Sequence, residues 1–274
     1  MSIDNSRIAE IFTQVHAQAP LIHQITNFVV MNDTANITLH LGASPVMAHA
    51  AEEVEEMVSL AGALVLNIGT LTPDWIEAML RAGRKANQLG VPVVLDPVGA
   101  GATSLRTRSG LRLLEELDIS IVRGNAGEIG ALSGSGGTVR GVDSVEGVHD
   151  PEAVAQIARA WGTIVAVTGK RDLLSDGRRT LGVDNGHAWL ATLTGTGCMA
   201  TTTIAAFAAV EPDRLLAAAG GLAVYGLAAE LAAPEARGPA GFKVAFLDQV
   251  YNLTPEQITS GVRVVELAPP AAGE

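Results

Sequence analysis

The residues best suited to chemistry lie in one short stretch, 193–203, with the sequence LTGTGCMATTT. The small residues Gly195 and Gly197 let backbone N–H groups converge on one point, just before an alanine-rich, helix-like run over 199–210. The first N–H groups of a helix have no internal partner and carry positive partial charge, so they bind anions such as phosphate. Cys198, the only cysteine, falls in the first turn, where the helix dipole favours a thiolate or a nearby negative charge. The stretch predicts a site where a phosphate and an acceptor hydroxyl meet.

The same stretch also matches the dinucleotide-binding pattern G-x-G-x-x-G/A, through Gly195, Gly197 and Ala200. That pattern belongs in a strand–helix–strand unit, usually with an acidic residue about 20 residues further on. Here one helix-like segment leads into another, which argues against a nicotinamide cofactor. A glycine-rich helix start with a purely structural role remains the other alternative.

Phosphoryl transfer is the reaction that such an anion site favours. It requires backbone amides for the γ-phosphate, a cation held by carboxylates and an oriented hydroxyl group. The chain contains neither the G-x-x-x-x-G-K-[ST] motif of P-loop enzymes nor the H-R-D and D-F-G motifs of protein kinases. A different nucleotide-binding fold is therefore required.

The composition is that of a globular protein that binds small molecules. Hydrophobic residues make up 48% of the 274 residues and charged residues 17%, enough to bury a large core, and we expect a single domain over 1–274. A net charge of −11 without a basic cluster argues against nucleic-acid binding. With one cysteine and a polar N-terminal segment, no internal disulfide and no signal peptide are expected, so we predict a cytoplasmic protein.

Two apolar runs, 196–210 and 215–229, resemble a membrane hairpin. Each is shorter than the roughly 18 residues that a membrane span needs. Their alanines and glycines instead favour close helix packing. We therefore predict buried helices and no membrane association.

The elements that position the site alternate between strands and helices through most of the chain. Gly and Ser dominate 133–144, which we predict to be a surface loop, and the tail 268–274 to be frayed. Asp184-Asn185-Gly186 is a strong turn signal and predicts an antiparallel hairpin over 179–193, with strands 179–183 and 187–193. In the rest of the chain, the alternation of predicted strands and helices indicates an α/β fold with a mostly parallel sheet that is covered by helices on both faces. Predicted strands before the hairpin are 21–25, 43–47, 63–68, 91–95, 119–122 and 163–167, and predicted helices after the anion loop are 199–210, 213–232, 240–251 and 255–259.

Polar residues follow the predicted strands, where open α/β sheets bind their ligands. We expect the anion loop at 194–198 to lie at the same sheet edge. Arg123 is expected in the loop after its strand. The residues concerned are Asn27, Asn67, Asp96, Arg123 and Thr168.

Eight ordered segments resemble hydroxyethylthiazole kinase, a thiamine-salvage family of the ribokinase-like superfamily. The resemblance spans about residues 23–225. It implies a ribokinase-like fold, ATP as co-substrate, Mg²⁺, and transfer of the γ-phosphate to 4-methyl-5-(2-hydroxyethyl)thiazole. It also implies a homotrimer with sites at subunit interfaces. The segments are HQITN at 23–27, SPVM at 44–47, NIGT at 67–70, DPVGA at 96–100, RGNAGE at 123–128, GVDS at 141–144, VTG at 167–169 and GTGC at 195–198.

The resemblance also implies roles for individual residues. It assigns nucleotide contacts to Arg123 and Thr168, and the metal and phosphate region to Asp96 and Glu128. It assigns the thiazole pocket to Met47, Gly195 and Asn27, and the catalytic loop to Gly195, Gly197 and Cys198. From the residues alone, Met47 also fits a core position, Asp96 a turn before proline, and Asn125-x-x-Glu128 a helix capping box.

Cys198 departs from the wider superfamily that the chain resembles. Most members of that superfamily have an aspartate at this position, which accepts the proton of the alcohol. A loose transition state makes little demand on a base, so Cys198 either accepts that proton or only positions the acceptor. Rival predictions are a hydroxymethylpyrimidine kinase or an NAD(P)H-hydrate dehydratase of the same superfamily. A non-catalytic nucleotide sensor is the third alternative.

Overall fold

A nine-stranded sheet organises the chain in the computed structural model, which describes residues 4–134, 148 and 150–267. The strand order is β2-β1-β3-β4-β5-β6-β7-β8-β9. Strands β1 to β6 pair in parallel, and β6 to β9 pair antiparallel. The strands are β1 (Leu21–Ile25), β2 (Ser44–Val46), β3 (Ala63–Asn67), β4 (Val93–Asp96), β5 (Ile121–Asn125), β6 (Ile164–Thr168), β7 (Asp172–Ser175), β8 (Thr180–Val183) and β9 (Val264–Leu267).

Eleven α-helices are described, together with short 3₁₀ helices at Ala188–Thr192 and Ala233–Glu235. Thr72 and Asp150 cap two of them with their side chains, and each is followed by proline at the first helical position. The α-helices are α1 (Asn5–Gln18), α2 (Met31–His40), α3 (Val54–Val58), α4 (Pro73–Leu89), α5 (Ser104–Glu116), α6 (Ala126–Ser133), α7 (Pro151–Trp161), α8 (Thr196–Ala208), α9 (Arg214–Ala232), α10 (Pro239–Asn252) and α11 (Pro255–Gly261).

Two hydrophobic layers cover the two faces of the sheet. Because side chains alternate along a strand, Ala63 and Val65 join one layer, and Leu64 and Leu66 join the other. The first layer contains α1, α2 and α8 to α11, and the second contains α3 to α7. The predicted α/β fold with helices on both faces is confirmed.

The apolar helices α8 and α9 are core helices. One described helical segment, Arg214–Glu235, is long and apolar enough to cross a membrane, but 83% of its apolar window is buried inside the fold. Every residue from Cys198 to the end of α8 is buried as well. The predicted burial of both runs is therefore confirmed.

The antiparallel part of the sheet is present, but the predicted hairpin is misplaced. The hairpin pairs β7 with β8 and turns at 176–179, where the Asp176 carboxylate accepts the N–H groups of Arg178 and Arg179. The predicted second strand at 187–193 is wrong, because Ala188–Thr192 forms a 3₁₀ helix. The free edge of β8 pairs instead with β9.

The loop predicted at 133–144 lies largely outside the described residues, as does the tail at 268–274.

Candidate active site

The carboxyl ends of five parallel strands meet the N-terminus of α8 at one sheet edge. Asn67, Asp96 and Thr168 are the last residues of β3, β4 and β6, and Asn27 lies two residues beyond β1. Arg123 lies inside β5, so the prediction that it belongs to the following loop is wrong. Strand β5 extends further because it pairs with β6 as far as Thr168.

A buried hydrogen-bonded cluster joins Asn27, Asn67, Asp96, Cys198 and Thr201. The Asn67 Nδ2 group lies 2.8 Å from Asp96 Oδ2 and 3.2 Å from Cys198 Sγ. The Asn27 Nδ2 group donates to Asn67 Oδ1 at 2.8 Å and lies 3.6 Å from the same sulfur. The Thr201 hydroxyl donates to Asp96 Oδ2 at 3.0 Å. The cluster thus connects the helix start to the ends of three strands.

The burial of Cys198 keeps its thiol neutral. Desolvation raises the pKa of this thiol to about 12, and the neighbouring Asp96 carboxylate acts in the same direction. The thiolate predicted from the helix dipole is therefore wrong. The helix dipole stabilises a thiolate less than the loss of solvation around a buried sulfur destabilises it.

Asp96 is fully buried, and its Oδ1 atom has no hydrogen-bond partner among the described residues. Burial raises the pKa of this carboxyl to about 6, although the Arg123 guanidinium, with Nη1 at 3.9 Å from Oδ1, opposes the rise. An orphaned carboxylate oxygen at the bottom of a site is the kind of ligand that Mg²⁺ accepts. No group of three or more potential ligands (His, Cys, Asp or Glu) is found within 4–134, 148 and 150–267.

Glu128 connects two strand-end loops. Its Oε2 atom accepts the Asn125 N–H at 2.9 Å while Asn125 Oδ1 accepts the Glu128 N–H at 2.9 Å, so the predicted capping box is present. Its Oε1 atom accepts the Gly99 N–H at 2.8 Å. Both carboxylate oxygens are thus engaged, and Glu128 also braces the turn that follows Asp96.

Arg123 lies directly against the start of α8. Its Nη2 group donates to Thr168 Oγ1 at 2.7 Å, and a Cβ atom added to Gly197 would lie 2.6 Å from its Nη1. Gly195 caps α8 in the left-handed region at φ 86°, without a side-chain cap. A Cβ on this residue would lie 2.9 Å from Val30. Gly195 is therefore required by its backbone conformation, whereas a side chain at Gly197 would displace the Arg123 guanidinium. Both glycines leave the first N–H groups of α8 open to an anion.

An open cleft of about 830 Å³ adjoins this edge, within the usual size range of ligand sites. Arg123, Thr168 and Gly197 line its polar part, and Leu190 and Leu222 contribute apolar surface. The dimensions and the lining of the cleft suit a nucleoside triphosphate. Asn27, Asp96 and Cys198 are not among its lining residues, and all three are buried.

Met47 directly follows β2, the edge strand beside β1. Its carbonyl group hydrogen-bonds with His49 Nδ1 at 3.2 Å, and the residue is half-buried. His49 stacks on Trp75 at 4.3 Å between ring centroids, and Phe28 packs edge-on against the same indole. Among the described residues, no hydrogen bond joins Met47 to the Asn27–Cys198 cluster.

Asp172 was not identified from the sequence, because it is one acidic residue in a polar segment. It lines the cleft at the start of β7, and its Oδ1 accepts the Gly169 N–H at 2.9 Å. Burial raises the pKa of this carboxyl from 3.8 to about 6. Tyr225 was also missed, and its hydroxyl donates to the Thr196 carbonyl at 2.8 Å.

We expect Asp172→Asn to stabilise the protein at neutral pH by about 1–2 kcal/mol, because the amide avoids burying a charge. A carboxyl with a raised pKa holds its proton more tightly when folded, so the wild type loses stability as the pH rises from about 4 to 6. Denaturant unfolding at pH 7.5 and pH 4 measures the difference. The gain of Asp172→Asn should vanish at the lower pH, and the exposed Asp248→Asn serves as control. An equal gain at both pH values would contradict this assignment.

Comparison with known proteins gives a consistent result. The model of the hydroxyethylthiazole kinase family matches residues 12–256. A hydroxyethylthiazole kinase of Chloroflexus aggregans is 68% identical over 265 residues, covering 96% of this chain and 95% of the relative. The structure of a hydroxyethylthiazole kinase from Pyrococcus horikoshii superposes with a TM-score of 0.89 at 46% identity, covering 96% of this chain and 99% of that one. A ribokinase-like superfamily protein from Enterococcus faecalis shares the fold at a TM-score of 0.66 and 11% identity, covering 90% and 95% of the two chains.

Proposed function

Because this chain belongs to the hydroxyethylthiazole kinase family, we propose that it phosphorylates the hydroxyethyl group of 4-methyl-5-(2-hydroxyethyl)thiazole with ATP, in thiamine salvage. The observation that carries the proposal is the meeting of the α8 N-terminus with Arg123 at the sheet edge, backed by the buried Asp96. Phosphoryl transfer needs alignment and charge stabilisation more than covalent chemistry. Amides, a guanidinium and a carboxylate at one edge meet that need.

ATP occupies the cleft in this proposal, with its phosphates toward Arg123 and α8. The guanidinium is pre-oriented by Thr168 and offers paired donors to phosphate oxygens. The N–H groups at Gly197 and Cys198 receive the γ-phosphoryl group and stabilise the charge on its equatorial oxygens. Arg123 and Thr168 are thus the nucleotide-binding residues of the proposal.

Mg²⁺ fits the carboxylates that the chain offers. Asp96 would hold it through the orphaned Oδ1, and Glu128 would act through water, since its oxygens already accept backbone N–H groups. When bound, such an ion neutralises charge on the triphosphate. Asp96 and Glu128 are therefore proposed as the metal-site residues.

The acceptor alcohol lies on the other side of the helix start, near Asn27, Gly195 and Met47. The neutral Cys198 thiol, fixed by Asn27 and Asn67, contacts the reacting hydroxyl group and orients it toward the phosphate. Its high pKa makes the thiolate form scarce at neutral pH, so we assign positioning to Cys198 rather than base catalysis. Little base strength is needed if the transition state is loose.

We expect Cys198→Ala to retain part of the activity, with kcat about tenfold lower, because positioning is lost while phosphate stabilisation remains. Cys198→Asp should keep or raise kcat, since a carboxylate in the same place accepts the hydroxyl proton and hydrogen bonds from Asn27 and Asn67. Steady-state kinetics of both variants measure the effect, with circular dichroism as the folding control. A folded but inactive Cys198→Asp variant would refute the assignment.

We further propose one domain over residues 1–274, a cytoplasmic location and a homotrimer with sites at subunit interfaces. A single sheet joins all nine strands, and the lone cysteine suits a reducing compartment. Phe28 and Val29, 59% and 63% exposed, follow Asn27 directly, and apolar side chains beside a site suit contact with a neighbouring subunit. Light scattering tests the trimer, and a monomeric mass under active conditions would exclude it.

One assay tests the proposed function. The purified protein with Mg-ATP and the thiazole alcohol should form ADP and the phosphorylated alcohol. Hydroxymethylpyrimidine and hydrated NAD(P)H serve as competing substrates, and turnover of either in place of the thiazole would select a rival activity of the superfamily. Nucleotide binding without turnover on any of the three would indicate a sensor.

A further inference from the structure

We propose that Glu230 and Arg263, which lie outside the cleft lining, are positioning residues for ATP, an inference that rests on the proposed function. Both hold the turn at 184–186, which leads into the cleft wall, defined here as Asn185, Gly186, His187, Ala188, Leu190 and Ala191. This wall carries apolar surface suited to a flat nucleoside base. Its position should therefore set the affinity for the nucleotide and leave the transfer step unchanged.

Glu230 binds both the turn and Arg263. Its Oε1 atom accepts the Gly186 N–H at 2.7 Å. The Arg263 guanidinium donates through Nη2 to the same oxygen at 2.5 Å and through Nη1 to Oε2 at 3.0 Å. A bidentate pair of this kind is directional, so the carboxylate fixes the Gly186 backbone relative to α9 and β9.

Arg263 and its neighbours hold the other two residues of the turn. The Arg263 Nη2 group also donates to the Asp184 carbonyl at 2.6 Å, and its backbone N–H donates to Asn185 Oδ1 at 2.6 Å. Asn185 Nδ2 donates to the Gly261 carbonyl at 3.0 Å. The buried Asn185 side chain thus bonds to the chain near β9 instead of closing a hairpin.

The turn also packs directly on α9. A Cβ atom added to Gly226 would lie 2.5 Å from the carbonyl carbon and oxygen of Asn185. Gly226 and Glu230 are four residues apart and so share one face of α9. Close packing at Gly226 and a hydrogen bond at Glu230 therefore hold consecutive residues of the turn.

The connection to the reacting centre is short. The cleft wall continues into the 3₁₀ helix Ala188–Thr192, whose Leu190 carbonyl accepts the Thr196 hydroxyl at 2.9 Å. Thr196 is the first residue of α8. Release of the turn should mainly loosen the base-binding wall, because the α8 start keeps its own contacts with Tyr225 and Arg123.

The test compares Glu230→Ala and Glu230→Gln with wild type. We expect Glu230→Ala to raise the KM for ATP and the Kd for Mg-ADP about tenfold, with kcat and the thiazole KM within twofold. Glu230→Gln keeps an acceptor for the Gly186 N–H but loses the ion pair, so its increase should be about threefold. Glu55→Ala, which removes the exposed pair with Arg81, is the control and should change neither constant.

Each alternative result has a defined meaning. A lower melting temperature with unchanged ATP KM and ADP affinity would reduce Glu230 to a structural role and overturn the proposal, as would an equal loss in kcat and in both KM values. If Glu230→Ala does not fold, Glu230→Gln decides by the same constants. If wild type lacks kinase activity but binds Mg-ADP, the proposed function fails while calorimetry still tests the positioning role. Absence of nucleotide binding by wild type would overturn both.

Discussion

Asp96→Asn is expected to remove nearly all kinase activity while making the protein more stable. The asparagine Oδ1 can still accept hydrogen bonds from Asn67 and Thr201, so the fold is retained. The negative charge proposed to face the cation is lost. Removing one preorganised electrostatic group from a phosphoryl-transfer site should lower kcat by about 100- to 1,000-fold.

The stability gain follows from the same burial. Desolvation raises the pKa of Asp96 to about 6, which means that the fold is destabilised by carrying this charge at neutral pH. We expect Asp96→Asn to gain about 1–2 kcal/mol in the free energy of unfolding, measured by denaturant titration at pH 7.5. Exposed Glu77→Gln is the control for both measurements. Retention of kcat within tenfold would exclude Asp96 from the metal and phosphate region.

Gly197→Ala is expected to lower kcat/KM for ATP by about 100-fold with little loss of stability. The new Cβ would lie 2.6 Å from Arg123 Nη1, so the guanidinium must move. The far end of an arginine side chain moves at little cost to the fold, but a displacement near 1 Å at a transferring phosphate is costly for alignment. Steady-state kinetics and a melting curve separate the two effects.

Gly241→Ala is the matched control, because an added Cβ on that helical residue meets nothing within 4 Å. It should leave the kinetic constants unchanged and raise the melting temperature slightly, because alanine favours a helix more than glycine does. If Gly197→Ala keeps full activity, Arg123 does not need its present position, and the nucleotide assignment loses its main support. If it unfolds, Arg123→Lys tests the same guanidinium, with a comparable loss expected from the missing paired donors.

Several features of the fold could be predicted from local sequence because each rests on a local signal. Strand β1 was predicted at its observed bounds, because a short apolar run marks it. The apolar strand β3 was recognised from its continuous hydrophobic run. The start of α8 was predicted three residues late and its end two residues late, because the glycines at 195 and 197 do not have the composition of a helical first turn.

The hairpin shows where local signals fail. Asp184-Asn185-Gly186 has the composition of a β-hairpin turn. The Asn185 side chain nevertheless hydrogen-bonds to residues more than 70 positions away. The partner strand β9 is short and comes from the end of the chain. A local turn propensity does not outweigh a buried side chain that hydrogen-bonds to both Gly261 and Arg263.

The sequence by itself determined the alternating fold, the anion loop and the family, because these depend on periodicity and on ordered motifs read along the chain. Only the tertiary structure decided the protonation of Cys198, the orphaned oxygen of Asp96 and the bracing of the cleft by Glu230 and Arg263. These properties arise from desolvation and from contacts between residues far apart in sequence. A local sequence pattern contains no information on burial or on the distance between remote residues, so no motif could have predicted these properties.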